Sequence, residues 1–289
     1  MAELLAELIV PFSYNYMLKA MWVSALVGGV CAFLSAYLML KGWSLMGDAL
    51  GHSIVPGVAA AYILGAPFAI GAFFAGILAS LSMNFVKQQT RLREDAVIGL
   101  VFTSLFALGL LMASLWPTSV SIQTIVLGNI LAIADEDVVQ VAIIAGISFL
   151  VMVFIWKDLM VTFFDENHAR SIGLNTTLLK VIFFTLLSAC TVAALQTVGA
   201  CLVIAMVVTP GATAYLLTDR FGWLIVIAVA LGAITSFAGA YISYFLDGGT
   251  GGVIVTLQTL VFLLTFYFAP KHGLLAARRR RFAPREATA

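Results

Sequence analysis

Apolar residues gather into long runs at 17–40, 45–64, 68–86, 94–115, 137–156, 177–198, 200–217, 221–246 and 251–269, with short polar connections between them. Most runs reach the roughly 20 residues that a helix needs to cross a bilayer. A segment surrounded by lipid must satisfy its own backbone hydrogen bonds, so each run is predicted to be a helix. Two runs are interrupted: 45–64 contains Pro56 and three glycines, and 200–217 contains Pro210-Gly211. Either is readable as a broken or re-entrant segment, so the pattern predicts eight or nine crossings. The stretch 117–132 (PTSVSIQTIVLGNILA) is apolar but short and studded with polar residues, and it predicts an external loop with an interfacial helix. The expected fold is an all-α, polytopic membrane bundle forming a single domain over 1–289, with no linker and no internal repeat.

Composition agrees. The 289-residue chain is 62% hydrophobic and only 10% charged, against roughly a quarter charged in ordinary soluble domains. If nine runs cross, one set of alternate connections holds Lys41; Lys87, Arg91 and Arg93; Lys157, Arg170 and Lys180; Arg220; and the tail 271–289 with its run Arg278 to Arg281. The other set holds Lys19, Asp135, Glu136, Asp137 and Asp247. The positive-inside rule then puts the C-terminus in the cytoplasm and the N-terminus outside, with the arginine run as a lipid anchor. A net charge of +1 gives no ground for a nucleic-acid partner. Cys31, Cys190 and Cys201 stand singly in apolar runs without CxxC spacing and read as packing residues. The N-terminal stretch MAELLAELIVPF carries acids where a secretory signal carries positive charge, and reads as mature protein.

The candidate chemistry is concentrated at GWSLMGDALGHSIVPG, residues 42–57. Of fourteen acids, thirteen fall at the N-terminus, in connections, at helix ends or in the tail; only Asp48, and of three histidines only His52, lies in the interior of an apolar run. Their i, i+4 spacing stacks them on one helix face, about 5–6 Å apart at Cβ. A carboxylate and an imidazole in that position suit one shared Mn²⁺, Fe²⁺ or Zn²⁺, and the lack of a thiolate argues against Cu⁺. The alternative is an Asp–His pair that staples helices, since ionisable groups in a membrane pair by necessity. A second polar stretch, Phe163 to Lys180, has Asp165 and Glu166 placed to cap a short helix that closes at Gly173. It reads either as an amphipathic helix on the cytoplasmic face, against which a motor subunit pushes, or as a solvated connector. His168 reads as solvated there, and His272 as interfacial. Glu94-Asp95 read as charge compensation at a helix N-terminus, and Asp135 to Asp137 as a solvated loop that starts the next helix. No GxxxxGK[ST] phosphate loop and no HExxH occurs, so neither a P-loop ATPase nor an intramembrane metalloprotease fits.

The segments KGWSLMGDALGHSIVPGVA, TRLREDAVIGLVFT, TSVSIQTIVLGNILAI, FDENHARSIGL and QTVGACLVIAMVVTPGATAYLL, in this order, resemble the membrane permease of bacterial ABC transporters for divalent metals, the branch that imports manganese, chelated iron or zinc. The resemblance spans nearly the whole chain. It implies a permease that is not itself an enzyme, works with an ATP-binding subunit dimer, a second identical or homologous permease chain and an extracytoplasmic metal-binding protein, and sits in the bacterial cytoplasmic (inner) membrane. No cofactor is implied; the metal is cargo, Mn²⁺ or Fe²⁺ ahead of Zn²⁺ on the wording of the N-terminal half. Asp48 and His52 fall on the family's metal motif, with Gly51 where serine is frequent. The segment 164–175 falls on the helix that touches the ATPase, with Asp165, Ala169 and Gly173 as its coupling positions. Under this reading, transport weakens as His52 becomes protonated. A stand-alone secondary carrier for divalent cations is the competing reading. It is disfavoured by the coupling-like segment and by the lack of other intramembrane acids for a proton relay.

Overall fold

A computed structural model describes residues 2–43, 45–116, 135–269 and 273–274, except the side chains of 2–7, 88, 196–198, 200–202 and 204. The described residues form helices: α1 Ala2–Ser13, α2 Asn15–Lys41, α3 Met46–Ser53, α4 Val55–Leu64, α5 Phe68–Gln89, α6 Glu94–Leu115, α7 Asp135–Phe164, α8 Glu166–Ser171, α9 Thr176–Val198, α10 Ala200–Leu217, α11 Phe221–Leu246 and α12 Thr250–Phe268. Among them, seven are long and apolar enough to span a membrane: α2, α5, α6, α7, α9, α11 and α12. The two runs marked out by their prolines take different forms. Run 45–64 divides at Ile54, because Pro56 has no N–H to give the carbonyl of His52 and the turn is interrupted there. Run 200–217 keeps Pro210 inside α10. The expected interfacial helix at 117–132 and nearly all of the tail 271–289 lie outside the described residues.

Two boundaries differ from the apolar pattern. α7 continues past residue 156 through Lys157 and Asp158 to Phe164, as a helix does when it leaves lipid with its hydrogen-bond ladder intact. α1 is too short to span. It docks on α11, where the Tyr241 hydroxyl donates to the Leu8 carbonyl at 2.9 Å and Phe12 meets the Tyr241 ring.

α2 is the central post: every residue from Val27 to Leu38 is buried, against α7, α9, α10 and α11. Its seam with α11 is made of small residues. A Cβ added to Gly28 would lie 2.6 Å from the Gly232 carbonyl oxygen, and one added to Gly232 would lie 2.4 Å from that of Gly28. Backbones that close gain van der Waals contact that lipid tails cannot match. On its next face, α2 braces α10 around its internal proline. The Ser35 hydroxyl donates to the Val208 carbonyl (3.1 Å) and accepts from the Gly211 N–H (3.0 Å), engaging groups on both sides of Pro210. Cys31 and Cys190 are buried free thiols, as expected of packing residues. Lys19 of α2 pairs with Asp135 at the start of α7; exposed pairs of this kind add little stability.

The end of the bundle below α2 is aromatic. Tyr37 packs against Phe221 (5.0 Å between centroids), Phe183 and Phe163, and its hydroxyl donates to the Trp156 carbonyl. Beside this cluster sits α8. Asp165 caps it, accepting from the N–H groups of Asn167 and His168 at 3.0 Å. Gly173 ends it at φ +86°, while the Leu174 N–H reaches back to the Ala169 carbonyl. Glu166 does not cap. Its carboxylate bonds Arg170 (2.7 Å) and Lys180 of α9 (2.5 Å). Partial burial pushes the Glu166 pKa up, but the hydrogen bonds and charges of Lys180 and Arg170 outweigh it and hold the carboxyl below its ordinary value.

Two outcomes follow. Gly232→Val forces α2 and α11 apart and is expected to destabilise the protein by about 3 kcal/mol or more, read as a lower Tm in detergent. A carboxyl with a lowered folded pKa adds stability that is present above its unfolded value and disappears as pH falls through the folded one. Glu166→Gln therefore melts below wild type near neutral pH, and the gap closes as the pH is taken down through the carboxylate range.

Candidate metal site

The site is built on α3, an eight-residue helix between two breaks. Before it, α2 ends at Gly42 in the left-handed region (φ +73°), its N–H reaching back to the Met39 carbonyl. After it, Ile54 and Pro56 separate α3 from α4. Six of its eight residues are buried; Asp48 and His52 are the two that are not. Together with Leu45 and Val55 they form the open stripe of this segment. The other side is closed by α10, where a Cβ on Gly47 would stand 3.2 Å from Val207, so a small residue is needed next to Asp48.

The structure brings both predicted ligands together. His52 Nε2 lies 3.3 Å from Asp48 Oδ1, and their side chains are 27% and 38% exposed, respectively. The imidazole is flanked by Phe102 and Phe106 of α6, with centroids 5.6 and 5.3 Å away. The pair lies within one helix and bridges none, so the staple reading loses its function. Among the described residues, no group of three His, Cys, Asp or Glu forms a metal cage. This chain therefore presents a carboxylate and an imidazole side by side on an open face, two donors of the types that borderline divalent metals accept.

The coupling positions fall on α8, but they do not share one surface. Asp165 and Gly173 are exposed and set the two ends of the helix, whereas Ala169 is fully buried and faces the bundle. The outward face consists of Asn167, His168, Arg170 and Ser171, with Ile172 next to it.

Sequence reasoning missed one cluster. Glu94 does more than compensate a helix end: it accepts from Trp43 Nε1 at 2.5 Å and lies 3.6 Å from the Lys87 ammonium. α3 and α6 run side by side in the same direction, with Trp43 against Glu94 at one end and His52 against Phe102 and Phe106 at the other. The i, i+4 series Glu94, Ile98, Phe102, Phe106 marks that face of α6 and was the available signal.

Comparison with known proteins gives this geometry its context. The chain is 71% identical over 280 residues to the "Chelated iron transport system membrane protein YfeC" of Yersinia pestis, covering 97% of this chain and 94% of that protein. It is 48% identical over 281 residues to the "Manganese transport system membrane protein MntB" of a Synechocystis strain, covering 96% and 91%. Among solved structures, "PsaBC from Streptococcus pneumoniae in complex with Fab" superimposes with a TM-score of 0.84 at 33% identity, covering 95% of this chain and 99% of that one. The family model described as "ABC 3 transport family" matches residues 13–269. On these grounds the chain, a multi-pass membrane permease, belongs to the ABC 3 transport family.

Proposed function

We propose that this protein is the permease subunit of an ATP-driven importer for divalent metal ions, with Mn²⁺ and Fe²⁺ as cargo and Asp48 and His52 as the ligands in the translocation path. One observation carries the reading: the two polar side chains of α3 occupy its open stripe, within a membrane bundle whose surface is otherwise apolar there. A carboxylate is not left facing hydrocarbon. A second permease chain, identical or homologous, laid against this face covers it and brings a matching pair, so that four N/O ligands surround one ion on the shared axis. The named activities of the relatives, chelated iron for one and manganese for another, support Mn²⁺ and Fe²⁺ over Zn²⁺.

A half-site in each chain suits transit, because conduction needs entry to be favourable and exit to be easy. An extracytoplasmic metal-binding protein delivers the ion. A dimer of ATP-binding subunits drives its release inward by pressing on the exposed face of α8, which puts α8 and the C-terminus in the cytoplasm of a bacterial inner membrane. Binding requires an ionised Asp48 and a neutral His52, so a proton on the imidazole competes with the metal.

Asp48→Ala and His52→Ala are each expected to abolish uptake by the reconstituted complex. Mn²⁺ affinity should fall by more than about a hundredfold, since loss of a group that merely orients a ligand already costs up to that much. Assembly and melting temperature should remain near wild type. Isotope uptake in proteoliposomes, with Fe²⁺ and Zn²⁺ as competitors, checks both ligands and cargo. Uptake that runs without the ATP-binding subunits or ATP identifies a secondary carrier instead.

A further inference from the structure

α3 is suspended between two interruptions, and the side chain at its leading end is Trp43. The Trp43 carbonyl accepts the N–H of Met46, the first residue of α3, at 3.1 Å. On the other side, the left-handed turn at Gly42 closes α2, with the Gly42 and Trp43 N–H groups reaching back to the Met39 and Leu38 carbonyls, and it leaves open the space where a side chain would stand. Such positions absorb the dihedral changes of rigid-element motion.

The Trp43 ring is held on three sides. It packs edge-on against Phe163 (5.4 Å, 82°), stacks on Phe184 of α9 (5.6 Å, 21°) and donates to Glu94. A cavity of about 40 Å³, lined in part by Met46, Met83 and Asn84, lies beside it. Packing beside the ring is therefore looser than in a close-packed protein interior.

Phe163 is the second-to-last residue of α7, two residues before the Asp165 cap of α8. It is buried, with its ring 4.8 Å from Phe183, and its carbonyl accepts from Lys41 at 3.4 Å. α8 is tied in turn to α9 by Glu166 and Lys180. Displacement of α8 therefore carries Phe163 and the start of α9 with it, and the first thing these push toward the metal ligands is the Trp43 ring.

We propose that Trp43 is a positioning residue of transport: through its contact with Phe163 it converts movement of α8 into a tilt of α3, turning Asp48 and His52 between their loading and release orientations. This rests on the reading of Asp48 and His52 as cargo ligands. Glu94 is the latch that returns the ring. The tilt pivots at the Gly42 turn, because the Ile54–Pro56 break at the other end is packed closely against Gly109 of α6.

The test uses the complete complex with its ATP-binding subunits in proteoliposomes, where Mn²⁺ uptake and ATP hydrolysis are measured together; Mn²⁺ binding is measured in detergent. Trp43→Leu is expected to bind Mn²⁺ as wild type does and to hydrolyse ATP at nearly the wild-type rate. Uptake per ATP should fall roughly tenfold, a loss of the size carried by single coupling residues. Trp43→Phe keeps the ring contacts and is expected to recover most of that ratio. Phe163→Leu reproduces the loss, and the double variant is no worse than either single one, as for two residues acting in one contact. An unchanged uptake per ATP in Trp43→Leu overturns the proposal. So does a parallel loss of Mn²⁺ binding or of hydrolysis, which assigns Trp43 to the ligand shell or to assembly. If Trp43→Leu fails to assemble, Phe163→Leu decides by the same two readouts. Wild-type complex that binds no Mn²⁺ overturns the cargo reading itself, and is told apart from a coupling failure because there binding is intact.

Discussion

A carboxylate and an imidazole on the uncovered stripe of a membrane helix must find a polar surrounding, and most of what is informative about this molecule follows from that demand. The helix that carries them is short, backed by α10 and flanked by two phenylalanines of α6, and among the described residues neither side chain gains an ion-pair partner from another helix. They lie 3.3 Å from each other and remain partly open. An arrangement that only stabilised the fold would close this gap, since a buried polar pair is worth most when every hydrogen-bonding group is used. Left open, it is complementary to something that comes and goes.

The second theme is interruption. Membrane helices favour unbroken hydrogen-bond ladders because lipid supplies no substitute partners. Here two apolar runs contain a proline, and the helices they form touch at the candidate site, with Val207 of α10 against Gly47 of α3. The proline inside α10 is braced from outside: Ser35 of the central post α2 engages backbone groups on both sides of Pro210. The run that holds the ligands is divided instead, with Pro56 packed against Gly109 of α6 after α3 and the capped turn at Gly42 before it.

Much of this was legible in the chain. Runs of apolar residues gave the spanning helices, and the two containing proline stood out as the irregular ones, because a missing N–H acts locally and needs no tertiary information. Asp48 and His52 were visible because charge inside an apolar run is costly, and Asp165 and Gly173 because caps are local too. What stayed hidden depended on distant contacts. Glu94 looked like a helix-end charge until Trp43, 51 residues earlier, was found donating to it. Ala169 read as a coupling position, yet the rotation of α8 set by Asp165 and by the Glu166–Lys180 bond turns it inward. α1 was missed because a helix shorter than a span leaves no run to count, and the far end of α7 because hydropathy marks where lipid stops and not where a helix does.

The central claim is that Asp48 and His52 hold a metal ion in passage. Pulsed EPR on the Mn²⁺-loaded complex addresses it directly, since a directly bonded imidazole nitrogen couples to the electron spin and water or carboxylate oxygen does not. A nitrogen coupling that disappears in His52→Ala while the protein stays assembled is the predicted result. Mn²⁺ held with oxygen ligands alone, or a nitrogen signal indifferent to that substitution, contradicts the account.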